Sequence, residues 1–236
     1  MDCLSDIELS DALLEAKVMP TLNHPNIIHF EDCFVMKQPK LALCIVMEYA
    51  DGEDLKKRIQ NQKKLKKFFS ESQILDWFTQ ICLGIKHLHD RKILHRDLKS
   101  ENIFLTRNNI IKLGDFGVCK CLDYTLQKAT TEIGTPYYIS PEIILGDAYS
   151  YPTDIWSLGV ILYELCALKH PFEGRNRPEL NANIIRGRYV EINSGYSNDL
   201  KTLLRNLLNV KEERRLRVHD ILSNLPNKLK RASYNK

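Results

Sequence analysis

The sequence predicts an α+β fold in which a mostly helical lobe carries a smaller strand-bearing one. Three observations predict it. Two β-rich runs, residues 27–35 and 41–47, come early, and apolar residues at helical spacing dominate from residue 70 onward. The 236 residues, 44% apolar and 27% charged, suit one domain or one large lobe with a remnant attached. The net charge of +4 is too small on this length to argue for nucleic acid, so none is expected as a partner. No run approaches the roughly 18 apolar residues of a membrane span, so no membrane is expected either. No basic and then apolar leader follows Met1-Asp2. Seven scattered cysteines suit a reducing compartment better than a disulfide framework. The expected location is cytoplasmic, with nuclear and cytoskeleton-associated placements left open.

Each element has a local reason. Ser5-Asp6-Ile7-Glu8 is a capping-box pattern, which predicts a helix from there to about Leu22. The two strands follow, joined by a polar stretch containing Pro39. Residues 48–54 form an acidic linker with Gly52, and residues 56–67 hold seven basic side chains read as a solvated face. Ser70-Glu71-Ser72-Gln73 is a second capping box, and Ile74, Phe78, Ile81, Ile85 and Leu88 keep helical spacing behind it. Residues 103–105 and 110–113 around Asn108-Asn109 read as a short hairpin. Residues 155–168 are apolar nearly all round, which predicts a buried helix. Leu200, Leu203, Leu204, Leu207 and Leu208 draw a one-faced helix, and Val218, Ile221 and Leu222 begin another.

The chemistry-bearing residues stand in a fixed order. His95-Arg96-Asp97-Leu98-Lys99-Ser100-Glu101-Asn102 lies between a helix and the hairpin, Asp115-Phe116-Gly117 ends the hairpin, and Ser140-Pro141-Glu142 closes the next segment. Three such motifs in order and in context resemble the eukaryotic protein kinase signature. Met47-Glu48-Tyr49, Gly134-Thr135-Pro136, Asp154-Ile155-Trp156-Ser157-Leu158-Gly159 and Arg215 extend the match over nearly the whole chain. Leu22-Asn23-His24-Pro25-Asn26-Ile27, Asn102-Ile103-Phe104-Leu105, Gly114 and the run from Gly134 to Glu142 are similar to the NIMA-related serine/threonine kinases.

That resemblance implies a protein kinase-like fold with a complete, mostly helical C-terminal lobe and a truncated N-terminal lobe. It divides the chain into a partial N-terminal lobe (1–47), a linker (48–54), the C-terminal lobe (55–225) and a basic tail (226–236). It implies ATP and Mg²⁺ as cofactors and protein substrates with serine or threonine acceptors. Phosphoryl transfer needs cations on the phosphates and a hydroxyl aimed in line at phosphorus. By resemblance, Asp97 orients the substrate hydroxyl and Lys99 faces the γ-phosphate. Asn102 and Asp115 are hard oxygen donors for Mg²⁺, and Thr135 braces Asp97 and Lys99. Phe104 floors the adenine, Glu48 and Ala50 offer backbone hydrogen bonds to its edge, and Asp54 meets ribose or a basic substrate residue. Glu15 is the helix glutamate that pairs a strand lysine. Arg96 is the expected partner of a phosphate on the loop after Gly117. Thr131 is the matching position and Thr130 its neighbour, modified by an upstream kinase or by self-phosphorylation.

Blander readings stand beside these. An Asp-Lys pair is commonly a surface ion pair, and Cys119-x-Cys121 lacks a second ligand pair at zinc spacing. His87, His89 and His219 read as ordinary helix residues and His95 as structural. No G-x-G-x-x-G occurs among the ten glycines, and no strand lysine precedes Glu15. The reading therefore expects a chain that begins with its N-terminal lobe half over, impaired in phosphotransfer. It also expects an apolar edge on the two-strand remnant. A deliberate truncation, an alternative start and an incomplete gene assembly are all open. The competing reading is a non-catalytic, pseudokinase-like protein-binding scaffold.

Overall fold

The computed structural model describes residues 19–36, 42–114 and 136–225. The expected first helix falls largely outside this set, as do Glu15 and the proposed capping box. Its described end is a 3-10 turn, Met19–Thr21.

Strands β1 (Phe30–Met36) and β2 (Ala42–Met47) pair antiparallel, with Phe30 opposite Met47 and Met36 opposite Ala42. The first strand begins later than predicted because Ile27 and Ile28 serve a different contact. Ile27 bridges Leu113, and the Ile28 N–H donates to the Leu113 carbonyl at 2.8 Å. Phe34, Val35, Met36, Val46 and Met47 are exposed on this ribbon.

The linker leads into helix α1 (Leu55–Lys64), within the basic stretch whose composition predicts only a solvated face. Asp54 caps it by accepting the Lys57 N–H at 2.7 Å, and Leu55 and Ile59 are its buried residues. Helix α2 (Glu71–Asp90) starts where predicted, with Ser70 Oγ accepting the Gln73 N–H at 3.3 Å. It buries Ile74, Phe78, Ile81, Ile85 and Leu88, the residues whose spacing announced it. A Cβ at Gly84 would lie 2.6 Å from Leu113 Cδ1, so glycine lets this helix seat on the hairpin.

The hairpin is β3 (Ile103–Leu105) with β4 (Ile111–Leu113), Ile103 opposite Leu113. Asn109 turns it at φ +60°, a region asparagine tolerates. Buried Asn26 ties three elements together, its amide donating to Gln80 at 3.1 Å and to the Ile111 carbonyl at 3.0 Å.

Beyond residue 136 come α3 (Pro141–Leu145), α4 (Tyr151–Ala167), α5 (Arg177–Arg186), α6 (Asn198–Leu207) and α7 (Val218–Asn224). Helix α4 is buried from Thr153 to Cys166 and forms the axis of the core, as its all-round apolar sequence required. It carries Asp154 and Glu164 into that core, so both need partners. Glu142 and Arg215 form a buried bidentate pair at 2.6 Å, with the guanidinium 5.0 Å above the Trp156 ring. Burial opposes the Glu142 charge, but the Arg215 hydrogen bonds and charge hold its pKa below the usual carboxylate range.

Candidate active site

The loop after α2 reaches the cleft through a strained turn. The Asp97 N–H donates to the His95 carbonyl at 2.9 Å across Arg96, which sits at φ +65°. A three-residue turn with a non-glycine centre in the left-handed region is costly and must be held from outside. Asp154 holds it. Its two carboxylate oxygens accept the His95 N–H at 3.0 Å and the Arg96 N–H at 3.2 Å. His89 Nε2 and the Tyr149 hydroxyl, each at 2.8 Å, complete the shell. Burial alone would raise the Asp154 pKa, but His89, the charge of His95 and the backbone donor outweigh it and lower the value. His89 is thus a correction: it is a partner of the buried carboxylate rather than a helix residue without a further job. His95 is fully buried, which fits the structural role expected of it.

Two predicted site residues, Lys99 and Asn102, converge on the carboxylate of a third, Asp97. Lys99 Nζ lies 2.8 Å from Asp97 Oδ2, and Asn102 Nδ2 donates to the same oxygen at 3.1 Å and to the Asp97 carbonyl at 2.9 Å. Asp97 and Lys99 keep roughly a quarter to a third of their side chains accessible, so a substrate group can reach them (25% and 31%). Both side-chain bonds of Asn102 use the amide nitrogen, which leaves its oxygen as a hard donor suited to Mg²⁺. Among the described residues no group of three His, Cys, Asp or Glu side chains could hold a metal. The other expected ligand, Asp115, lies outside the described residues, as do Thr135, Thr130 and Thr131. The Gly114 N–H donates to the Asn102 carbonyl at 3.0 Å.

The expected adenine side is built from the linker and the hairpin. The Gly52 N–H donates to the Leu105 carbonyl at 2.9 Å, the Leu105 N–H to the Glu53 carbonyl at 3.0 Å, and Asp54 bridges Phe104. These bonds set Phe104 beside the linker. A Cβ on Gly114 would come 2.8 Å from the Phe104 ring, so the ring rests on the glycine. No hydrogen bond engages Ala50 among the described residues, which leaves its backbone open to a ligand edge. The Glu48 N–H is taken by the His29 carbonyl at 2.8 Å, and its carboxylate pairs with Lys112 at 2.7 Å. The Asp54 carboxylate caps α1 and pairs with Lys57 at 3.0 Å.

Sequence reasoning missed the support under the loop. Tyr138 receives the Ser100 N–H at 3.3 Å, lies 2.8 Å from Ser100 Oγ, and donates to Glu164 at 2.5 Å. Burial, with the nearby charge of Glu101, lifts the Glu164 pKa to about 8. His170 Nδ1 approaches Glu164 to 3.3 Å, but burial holds this imidazole down at about 4, so the pair is neutral at pH 7. The readable signal was an acid inside the apolar run of α4, since a buried carboxylate demands partners.

The protein kinase domain family profile matches residues 4–225. That span covers the loop, the hairpin and all of the helical lobe. The chain belongs to the protein kinase family. It is 48% identical over 219 residues to mouse serine/threonine-protein kinase Nek1, covering 93% of this chain and 18% of that protein. It is 49% identical over 209 residues to human serine/threonine-protein kinase Nek5, covering 88% of this chain and 29% of that protein. A probable serine/threonine-protein kinase, nek3 of Dictyostelium discoideum, shares 45% over 219 residues, covering 91% of this chain and 19% of that protein. The chain is thus similar to serine/threonine-protein kinases that carry the Nek name. It spans less than a third of the length of these relatives.

Proposed function

We propose that this region transfers the γ-phosphate of ATP to serine or threonine hydroxyls of protein substrates in the cytoplasm. The observation that carries the reading is the convergence of Lys99 and Asn102 on Asp97 Oδ2, at 2.8 and 3.1 Å. An anchored carboxylate next to a cation is what an incoming hydroxyl and a transferring phosphoryl group require. Asp97 accepts the hydrogen bond of the acceptor hydroxyl and aims it. Lys99 swings from Asp97 to the phosphate oxygens, and Asn102 keeps Asp97 oriented when the lysine leaves. Phe104 and the Ala50 backbone receive the adenine. The Asn102 oxygen and Asp115 would hold Mg²⁺, which when bound would neutralise the phosphate charge. The fit of Asn102 to this ion supports the assignment.

Proteins, rather than nucleic acid or membranes, are the partners of this reading, and no helix among the described residues is long and apolar enough to cross a membrane. The described free cysteines, Cys33, Cys44, Cys82 and Cys166, suit a reducing compartment. Phosphorylation at Thr131, by an upstream kinase or by the protein itself, is the regulation we assign from its position four residues before Thr135.

The test is phosphate incorporation from labelled ATP into a generic protein substrate by the full-length protein. Asp97→Asn is expected to lower turnover by about 10²–10⁴-fold while nucleotide affinity stays within about twofold. Full turnover by that variant, or no transfer by the unmutated protein, overturns the reading in favour of a protein-binding scaffold.

A further inference from the structure

We propose that Lys56 is a specificity-determining residue: it fills, from within the chain, an acidic subsite beside the acceptor position that a basic substrate side chain would otherwise occupy. The inference rests on the kinase reading for the position of the acceptor. Glu101 stands two residues after Lys99 and four after Asp97, in the 3-10 turn Ser100–Asn102. Its carboxylate is paired with the Lys56 ammonium in the first turn of α1, and both side chains keep about a third of their surface in solvent (35% and 38%). A second acid, the neutral Glu164, lies two hydroxyls away. Ser100 Oγ donates to Glu101 at 3.3 Å and lies 2.8 Å from the Tyr138 hydroxyl, which reaches Glu164 at 2.5 Å. Without Lys56, the open end of this cluster would present Glu101 as an unneutralised acid next to the acceptor site.

The neighbours of Lys56 repeat the arrangement. Lys57 pairs with Asp54 at 3.0 Å and Arg58 with Glu53 at 3.5 Å. Three consecutive cations at the start of one helix therefore each pair with an acid. Folding energy does not explain this well, because half-exposed ion pairs contribute only about 0–1 kcal/mol. Selectivity does. A weak internal pair costs little to keep, yet an incoming arginine must displace Lys56 and then sit beside its charge, so a basic side chain gains nothing over a neutral one.

The experiment measures affinity of the full-length protein for fluorescent serine peptides by anisotropy. Arginine is placed at each position around the serine in turn, against citrulline as its neutral isostere. Unmutated protein is expected to hold the two within about twofold at every position. Lys56→Met is expected to favour arginine by about fivefold at one position, the worth of one ion pair near 1 kcal/mol. That gain shrinks between roughly 50 and 300 mM salt. Lys56→Arg behaves as unmutated protein, and adding Glu101→Gln to Lys56→Met removes the gain. The proposal is overturned by an arginine preference already present without mutation, by none appearing in Lys56→Met, by one that survives Glu101→Gln, or by binding of no peptide. Phosphate transfer from ATP to the citrulline peptides by the unmutated protein is followed in parallel. Its absence alongside the predicted binding pattern would count against the kinase reading alone.

Discussion

His89 Nε2 lies 2.8 Å from Asp154 Oδ2, joining the end of α2 to the start of α4 directly beneath the turn that presents Asp97. The same carboxylate takes the backbone of His95 and Arg96 and the Tyr149 hydroxyl. Four donors on one buried acid make it the fixed point from which the loop is hung.

Removing that point is expected to cost both stability and positioning. Asp154→Ala strips all four donors of their acceptor and leaves Arg96 at φ +65° without its clamp, for a loss of about 3–5 kcal/mol. Asp154→Asn keeps one oxygen and the volume, and is expected to lose about 1–3 kcal/mol. Urea unfolding checks both. Equal losses in the two variants would show that volume, rather than hydrogen bonding, holds the turn.

The two cleft glycines separate by what stands opposite them. A Cβ at Gly52 would lie 2.4 Å from the Leu105 carbonyl oxygen, an atom of a hairpin strand that cannot move aside. At Gly114 the obstacle is the Phe104 ring at 2.8 Å, which can tilt. Gly114→Ala is therefore expected to cost about 1–3 kcal/mol and to weaken nucleotide binding by moving the adenine floor. Gly52→Ala is expected to cost more, because it breaks the bond from the Gly52 N–H to Leu105. Thermal melts with and without nucleotide distinguish them, and an unchanged nucleotide-induced shift in Gly114→Ala would remove Phe104 from the binding surface.

The helical lobe was legible because its apolar spacing is regular: the faces of α2 and α6 and the all-round burial of α4 appear where Ile74 to Leu88, Leu200 to Leu208 and Ile155 to Leu168 placed them. Helix α1 escaped because five cations conceal a two-residue buried stripe, Leu55 and Ile59. Asp97, Lys99 and Asn102 were legible as a local motif, and they do meet. His89, Tyr138 and Glu164 were not, because their roles depend on partners 26 to 65 residues away. Asp54 shows the opposite limit. Its sequence position suggested a ligand contact, while the local backbone also makes it the cap of α1.

The buried titratable groups predict a stability maximum near neutrality. His24 and His170 are each pushed down from an ordinary 6.5 to about 4, chiefly by burial. Cations add to this, Arg91 and Lys112 at His24 and Lys56 at His170. Below pH 6.5 the unfolded chain binds protons at both imidazoles that the folded chain refuses, so acid destabilises down to about pH 4. Glu164 runs the other way. Its pKa rises from 4.5 to about 8, so its stabilising contribution is full below 4.5 and is lost as pH climbs through 8. Between 4.5 and 6.5 two histidines oppose one glutamate, and stability rises with pH. Above 6.5 only the glutamate still titrates among the three, and stability falls, by at most about 1.4 kcal/mol per pH unit for its single proton. Below about pH 4 the depressed carboxylates Asp154 and Glu142 add a further loss as they protonate. Urea midpoints from pH 4.5 to 8.5 are expected to peak near 6.5, and Glu164→Gln is expected to flatten the alkaline limb while leaving the acid limb in place. A profile in Glu164→Gln that still declines above pH 7 with the original slope would assign that limb to another group.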